Sequence, residues 1–534
     1  MSLESTELQN LLWDKDRRKC YKPAYRMGWL KNKGAVLIAL WSFLVSHVFY
    51  FLRDGRDERR SEDPLNVSVS GVILLSSTLL FPLYGWMADR RLGRYKTVHY
   101  AMWIMWIGAM VATLGESLGH LSANYDARIK VWVFRGLCIV MIIGFGAFQS
   151  NITQLGIDQL TDASASEITS FIVWYVWTFY ISGLTLRYIS DCIANEYNMF
   201  YIKTLVIAVC LTIALCLDFL CHHWLVKEEV IGQSLRETMK IIKYVVKNRR
   251  RRYEFSDEDY LPSPFEIAKH QYGGPFTAQK VDNVLIFLWI LAILAACGIV
   301  FGAIMPIEYA REKLQNRWDG FNEASGLIGC YNKLSIRYND YFIVVTSVVL
   351  YELLIYPFFR RCLPKGSIVN MLLMGTALFI FWILSLLSIE AIALHKQLIL
   401  SLNNTSSQCI FNDKNILVTI NRKVLLIPDI VGGPACIILV ITALEFIWAQ
   451  TPSAMKGLTF GTGYAILGLN TLLQSIVALP FFFKLGSVNW HPLSCGTWYF
   501  IMEFVIMFIV LIVLSVIFKK YKKKRSNHQF PAYS

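Results

Sequence analysis

Twelve apolar runs, each about 20 residues long, limit most strongly how this chain can fold, because that is the length a helix needs to cross a bilayer. The runs cover residues 34–52, 68–88, 97–117, 131–150, 168–188, 199–221, 283–306, 341–359, 367–390, 430–450, 459–483 and 495–518. Amphipathic helices of soluble proteins keep a polar face, and these runs have almost none. The pattern therefore predicts an all-α integral membrane protein with 12 transmembrane helices.

The distribution of charge predicts the orientation of the chain. The 534 residues are 55% hydrophobic and 17% charged, and the formal net charge is +14. Most Lys and Arg residues fall on one side of the predicted spans, in segments that include 1–33, 89–96, 225–282 and 519–525. Because basic residues collect on the cytoplasmic side, both termini are predicted to be cytoplasmic. Topology and contact with anionic lipid account for the positive charge, so no nucleic-acid partner is predicted.

The spans form two sets of six. The predicted organisation is a cytoplasmic tail, a six-helix bundle, a cytoplasmic linker, a second six-helix bundle and a basic cytoplasmic tail, at residues 1–33, 34–224, 225–282, 283–518 and 519–534. This 6+6 layout is that of the major facilitators, in which the substrate site lies at the midplane between the halves.

The linker contains a short amphipathic pattern. Leu235, Met239, Ile242 and Val246 recur at helical spacing among Arg and Lys residues. This spacing predicts a helix that lies along the membrane face. A nucleic-acid site in the adjoining Arg249–Arg252 run is the less favoured alternative.

Sequons mark the predicted outer loops. Asn66, Asn403 and Asn404 each begin an Asn-x-Ser/Thr sequence in a loop assigned to the outside, so they are predicted glycosylation sites. Cys330 and Cys409 also lie in outer segments, where a disulfide is possible, although sequence alone does not fix the pairing.

The N-terminal tail carries a possible sorting signal. Glu7 precedes the pair Leu11-Leu12. An acidic residue ahead of two leucines resembles the dileucine signal that cytosolic sorting adaptors bind. The pattern favours an endosomal or lysosomal membrane, with the plasma membrane as the alternative.

A polar turn follows the second span. The helix ends, the chain turns at a glycine, and the acid of the turn can pair with its basic groups or with a neighbouring helix N-terminus. We predict a gating motif that holds the inner helix ends together in one state of a transport cycle. Its members are Gly85, Asp89, Arg90, Gly93, Arg94 and Lys96.

The form Ala-Asp-x-x-Leu-Gly-Arg-Tyr-Lys-Thr of this turn resembles the proton-coupled oligopeptide transporter (POT) family of the major facilitators, and general facilitators have one residue fewer between the Asp and the Gly. Further matches follow in order, at residues 144–160, 169–184, 268–282, 351–357 and 444–457. The stretch 268–282 resembles the peptide/histidine branch in particular. The resemblance implies alternating access and proton-driven transport of di- and tripeptides, histidine or other amphiphilic solutes.

Acids inside the predicted spans are the first candidates for function, because a carboxylate in an apolar helix is costly unless it is partnered or faces water. The resemblance implies that Glu445 faces the cavity and meets the substrate's amino group. Glu352 is a second substrate-binding candidate. Glu445 and Glu503 are candidates for proton coupling, since partial burial favours the protonated form. Each acid could instead be a buried packing residue.

Other positions depart from the family. The resemblance predicts a Glu-x-x-Glu-Arg motif in the first span, which binds the proton and the substrate carboxylate, but the equivalent stretch here, residues 40–50, contains no acid and no arginine. His47 is the titratable replacement there, either for proton coupling or as a neutral buried histidine. Gln149 stands in place of the family's span 4 lysine, and Tyr180 in place of its span 5 asparagine.

These departures change the predicted site. Tyr50, Gln149, Trp177 and Tyr180 become substrate-binding candidates in an aromatic cavity, which favours a cationic or neutral amphiphile. The alternative is that the span 5 aromatics are ordinary packing or lipid-facing residues. A peptide carboxylate would lack its expected bidentate partner, the arginine of the first-span motif. Arg187, near an outer helix end, either clamps an anion or extends to the lipid headgroups.

The sequence therefore predicts a secondary active transporter of small solutes and leaves proton coupling open. The alternative is a transport-dead family member that acts as a membrane scaffold or sensor. An enzyme is not predicted, because we find no Gly-rich phosphate loop, metal-spaced His/Cys cluster or nucleophile elbow. No cofactor or metal is predicted, and the partners are the substrate, protons, membrane lipid and a sorting adaptor.

Overall fold

The computed structural model describes most of the chain. The described residues are 23–54, 77–121, 127–161, 163–196, 201–227, 235–250, 263–304, 307, 342–358, 367–401, 426–482 and 495–527. Several predicted sites lie outside them, namely the sequons at Asn66, Asn403 and Asn404, the sorting signal at Glu7, Leu11 and Leu12, and the cysteines Cys330 and Cys409.

The described residues are almost entirely helical. The helices are α1 (Lys33–Asp54), α2 (Phe81–Met87), α3 (Arg94–Leu121), α4 (Ala127–Asp158), α5 (Ala165–Ser182), α6 (Tyr201–Cys221), α7 (Leu235–Lys247), α8 (Ala278–Gly302), α9 (Phe342–Phe358), α10 (Ser367–Ser401), α11 (Leu426–Gln450), α12 (Lys456–Phe482) and α13 (Cys495–Asn527). In this part of the chain, nine helices are long and apolar enough to cross a membrane, and α9 is a shorter apolar helix. The chain is therefore an α-helical multi-pass membrane protein, while the total of twelve spans and the cytoplasmic termini remain predictions.

In the part of the chain that the structure describes, three helices contain a π-helical turn, in which one extra residue is accommodated without breaking the helix. These turns are Ala88–Leu92 after α2, Gly183–Arg187 between α5 and its final segment Tyr188–Glu196, and Tyr351–Ile355 within α9. Each turn carries a buried charged side chain, namely Asp89, Arg187 and Glu352. Because π-helical turns are frequent at functional sites, these three side chains are candidates for function.

The helices pack as two halves that meet along a shared interface. In the N-terminal half, α3 packs against α4 and α6, and α1 packs against α4, α5 and α6. In the C-terminal half, α10 packs against α11 and α13, and α8 packs against α12 and α13. The halves meet where α12 packs against α2 and α4, and where α11 packs against α5. The residues that position the site come from these interface helices.

The linker helix α7 presents two apolar faces, whereas the sequence predicted only the one that carries Met239 and Val246. Thr238, Ile241 and Val245 are buried, and the two aliphatic side chains pack in one cluster with the start of α8. Met239 and Val246, from the face that the sequence assigned to the membrane, are 59% and 65% exposed. One face of α7 is therefore fixed to the protein and the other is open.

Candidate functional site

Two carboxylates of the C-terminal half meet two neighbouring hydroxyls of the N-terminal half. Thr169 Oγ1 donates a hydrogen bond to Glu445 Oε1 at 2.9 Å, and Ser170 Oγ donates to Glu352 Oε1 at 3.0 Å. Glu445 lies on α11 and Glu352 on α9, and both side chains are buried. The structure therefore brings the two predicted substrate-binding acids to one region of the interface.

The start of α5 explains why these hydroxyls are in place. Ser164 caps the helix in a capping box with Glu167, in which each side chain accepts a hydrogen bond from the backbone N–H of the other residue. Thr169 and Ser170 follow in the next turn, and adjacent residues of a helix point about 100° apart. The single helix α5 can therefore offer the Thr169 hydroxyl to α11 and the Ser170 hydroxyl to α9.

A neutral hydrogen-bonding group crosses the interface beside α5. Gln149 on α4 donates through Nε2 to the Tyr464 hydroxyl at 3.0 Å and to the Tyr175 hydroxyl at 3.3 Å. Tyr464 lies on α12, so the amide links the two halves. The position at which the resemblance predicts a lysine thus holds an uncharged group that two phenols fix in orientation.

The aromatic candidates divide into separate groups. Tyr50 is buried and donates through its hydroxyl to the carbonyl oxygen of Phe179 at 3.2 Å, and Tyr180 packs in the same cluster. Trp177 is half-buried, and its ring lies 5.5 Å from that of Trp174 in an edge-on contact. In the described part of the chain, neither of these two indole N–H groups has a hydrogen-bond partner. The two tryptophans therefore retain donors for a ligand, whereas the Tyr50 hydroxyl is used within the N-terminal half.

A buried charged cluster near the other end of α5 was not predicted as a cluster. Arg187 is 2% exposed, and its Nε lies 3.5 Å from Asp191 Oδ2. Lys203 on α6 places its Nζ 2.7 Å from Asp191 Oδ1, and the Arg187 guanidinium lies 5.9 Å from the centre of the Tyr50 ring. The interpretation that Arg187 extends to lipid headgroups is therefore wrong, because its charge is buried against an acid. The spacing of four residues between Arg187 and Asp191 was the available signal.

The gating motif joins α2 to α12. Asp89 Oδ1 accepts from Arg94 NH2 at 3.0 Å, and Asp89 Oδ2 accepts from the backbone N–H of Leu458, in the first turn of α12, at 3.0 Å. Arg94 also pairs with Asp158 Oδ2 at 2.5 Å. We call Asp89, Arg94 and Leu458 the α2–α12 latch. Arg90 and Lys96 are exposed, so these two members of the motif lie outside the buried contact.

The latch arginine, Arg94, is shared between Asp89 and Asp158. Burial raises the pKa of Asp89, while Arg94 and the backbone N–H groups of Leu458 and Gly457 act in the opposite direction. The net effect is an aspartate that is harder to ionise in the latched arrangement than in water.

Backbone contact brings the latch helices together. A Cβ atom added at Gly85 would overlap the carbonyl group of Gly457, so α2 and α12 touch through their main chains. Gly93 ends the π-helical turn with φ of 80°, a backbone conformation that residues with a Cβ atom rarely adopt. These glycines allow the turn and the close approach that position Asp89.

Solved structures resemble this arrangement of helices, although no family model matches the chain. The POT family transporter PepTSo superposes with a TM-score of 0.62 at 13% identity, covering 92% of this chain and 99% of that chain. An auto-inhibited POT family peptide transporter gives 0.60 at 14% identity, covering 92% and 97%. A peptide transporter POT solved with alafosfalin gives 0.53 at 11% identity, covering 97% and 99%.

The chain has the POT transporter fold. The all-α membrane fold of the POT type that the sequence predicted is therefore confirmed, while the total of twelve spans and the location of the termini stay predictions. Within this POT fold, the structure gathers Glu445, Glu352 and Gln149 where the halves meet.

The remaining proton-coupling candidates are Glu503 and His47, and Glu503 lies away from that region. Glu503 is fully buried on α13 beside Tyr499, one turn earlier. The rings of Phe446 and Phe518 are in contact, and Glu503 precedes Phe518 by about 22 Å along α13 at 1.5 Å per residue. Since Phe446 is adjacent to Glu445, the two acids are far apart. His47 is buried on α1.

Proposed function

We propose that this chain is a secondary active transporter that moves a small amine-bearing solute by alternating access, with Glu445 binding the cationic group. The observation that carries this proposal is the pair of carboxylates, Glu445 and Glu352, that cross from one half to hydroxyls of the other. Intramembrane acids are costly, so their placement at a movable interface supports a functional role over a packing role. Rocking of residues 34–224 against 283–518 would break and remake these hydrogen bonds.

The charge at the interface supports a cation as the substrate. Among the described residues, Arg187 is the only Lys or Arg that is buried, and it pairs with Asp191 within the N-terminal half. Gln149 is neutral where the resemblance predicts a basic group. A peptide carboxylate would lack a basic partner among these described interface residues, whereas an ammonium group could pair with Glu445.

The tryptophans of α5 suggest which cations fit. Trp174 and Trp177 offer aromatic faces, which attract ammonium and imidazolium groups. Their indole N–H groups can donate to a carbonyl of the same solute. We therefore place cationic amphiphiles and histidine ahead of zwitterionic di- and tripeptides as substrates.

Glu445 is also our first choice for the coupling proton. Its carboxylate must exchange the hydrogen bond from Thr169 for the substrate during each cycle, so its surroundings alternate. A carboxylate whose surroundings change can bind a proton in one state and release it in the other. Glu503 is a second choice, because it lies far from this exchange along α13, and His47 is a second choice because it lies on α1, which does not contribute to the two acid–hydroxyl hydrogen bonds.

Uptake into proteoliposomes tests the proposal. Labelled histidine, an aromatic organic cation and a dipeptide are compared with and without an inward proton gradient. We expect the cation and histidine to enter faster than the dipeptide. Glu445→Gln should raise KM about 10- to 140-fold, because a hydrogen bond to a charged group contributes about 1.5–3 kcal/mol.

The matched control is Glu390→Gln. Glu390 is a fully buried acid on α10, which packs within the C-terminal half, so its neutralisation should leave KM unchanged. Absence of uptake for every solute, with no effect of Glu445→Gln on ligand-induced stabilisation, would instead favour the scaffold or sensor alternative.

A further inference from the structure

The open face of α7 combines a basic stripe with an apolar edge. Four exposed basic residues lie within an arc of about 60° at 100° per residue, namely Arg236, Lys240, Lys243 and Lys247. Met239 and Val246 are exposed next to this arc and are 59% and 65% accessible. A helix that only faces water does not need large apolar residues beside its lysines. This pairing therefore indicates a binding partner whose surface is both anionic and apolar.

The charge of the stripe is not neutralised by its own helix. Glu237 is the one acid of α7, and its Oε1 lies 3.3 Å from Lys280 Nζ on α8. That ion pair joins α7 to α8 at the packed side of the helix. The four basic residues of the stripe therefore present a net positive face.

The packing of α7 sets its depth relative to the bilayer. Ile241 and Val245 pack with Val281 and Val284, which lie in the first two turns of α8. α8 is 25 residues long and is apolar enough to cross a membrane. Because α7 packs against the first two turns of α8, it lies near the level at which α8 enters the bilayer. That level is the headgroup region.

We propose that the open face of α7 binds anionic phospholipid headgroups of the leaflet beside α8, with Met239 and Val246 entering the interface and the lysines contacting phosphate. The predicted cytoplasmic orientation places this face at the leaflet that carries anionic lipid. Lys and Arg side chains contact headgroups while their stems lie along the apolar boundary, which matches the order of residues around α7. The proposal does not depend on which solute the protein transports.

Photocrosslinking tests the proposal with the full-length protein. Benzoylphenylalanine is placed at Met239 or at Val246, and the protein is reconstituted in nanodiscs of phosphatidylcholine with or without phosphatidylserine. The yield of protein–lipid adducts is measured by mass spectrometry. Tyr244 is the matched control position, because its ring packs against Phe276, 5.8 Å away, on the protein side of the helix.

We expect lipid adducts at Met239 and Val246, enriched in phosphatidylserine, and protein-internal adducts at Tyr244. The combined change Lys240→Gln, Lys243→Gln and Lys247→Gln should reduce the phosphatidylserine yield at least about fivefold, since each basic residue near an anionic surface contributes about 1 kcal/mol. Lys519→Gln with Lys520→Gln, at exposed positions of α13, should leave the yield unchanged.

Two results would overturn the proposal. The first is a lipid yield at Met239 and Val246 that is the same with and without phosphatidylserine. The second is crosslinking of these positions to the chain's own acidic run at residues 254–259, which would show that the stripe is covered from within.

Discussion

Replacing Gly85 by alanine tests whether backbone contact holds α2 against α12. A Cβ atom at this position would overlap the carbonyl group of Gly457 and lie 3.1 Å from the nitrogen of Leu458. These are main-chain atoms, so no side chain can rotate away and the helices must separate. Overpacking of this kind costs about 1–3 kcal/mol, which lowers the ratio of closed to open arrangements about 5- to 140-fold.

Distance measurements between the halves check this magnitude. Spin labels at Arg90, exposed at the end of α2, and at Lys519, exposed on α13, report their separation at the latch end. In Gly85→Ala the longer distance should gain population and uptake should slow. Gly115→Ala is the matched control, because it also places alanine in a helix but its Cβ atom would meet nothing within 4 Å. If both variants keep the wild-type distance distribution, the reasoning fails.

Three further expectations concern polar and charged groups. Asp191→Ala removes the acid that pairs with both Arg187 and Lys203 and should destabilise the fold by about 3–5 kcal/mol. Arg187→Met keeps the Asp191–Lys203 pair and should lower Tm less, and thermal unfolding ranks the two variants. Gln149→Leu removes the donor to two phenols and should cost about 1–3 kcal/mol, so an unchanged Tm would contradict the bridge between the halves. Burial raises the pKa of Asp89, so the closed latch binds a proton more strongly than an opened arrangement does. Acidification should therefore favour the shorter distance between the two spin labels, and this preference should fade as the pH rises through the raised pKa. Asp89→Asn should remove the pH dependence.

The positions of the helices were predictable from sequence because a bilayer demands long apolar runs, and each predicted span coincides with a helix wherever the structure describes it. The ends of helices were less predictable. The fourth run was predicted at 131–150, but α4 continues to Asp158. Its polar last turns are held by Gln154, four residues before Asp158 in the same helix, and by Arg94, and only the Arg94 contact comes from the packing of another segment.

The acids of the site were predictable and their partners were not. Glu445 and Glu352 stand out because each is an isolated acid in an apolar helix. Their hydroxyl partners lie 276 and 182 residues away in sequence, and Thr and Ser carry no signal of their own inside a helix. Lys203 was missed for the same reason, since only the packing of α6 brings it to Asp191.

The π-helical turns bear on how this chain could change. Each turn contains one residue more than an α-helix requires, and the turn after α2 carries Asp89 and ends before Gly93. Losing one residue from such a turn would restore a regular α-helix and leave the segments on either side nearly in place, because the wide turn already absorbs the extra residue. A single codon deletion could therefore change which side chain occupies the position of Arg187 or Glu352 while the fold survives. Insertions and deletions at these three turns, more than substitutions, are the changes by which a transporter of this shape could acquire a different site.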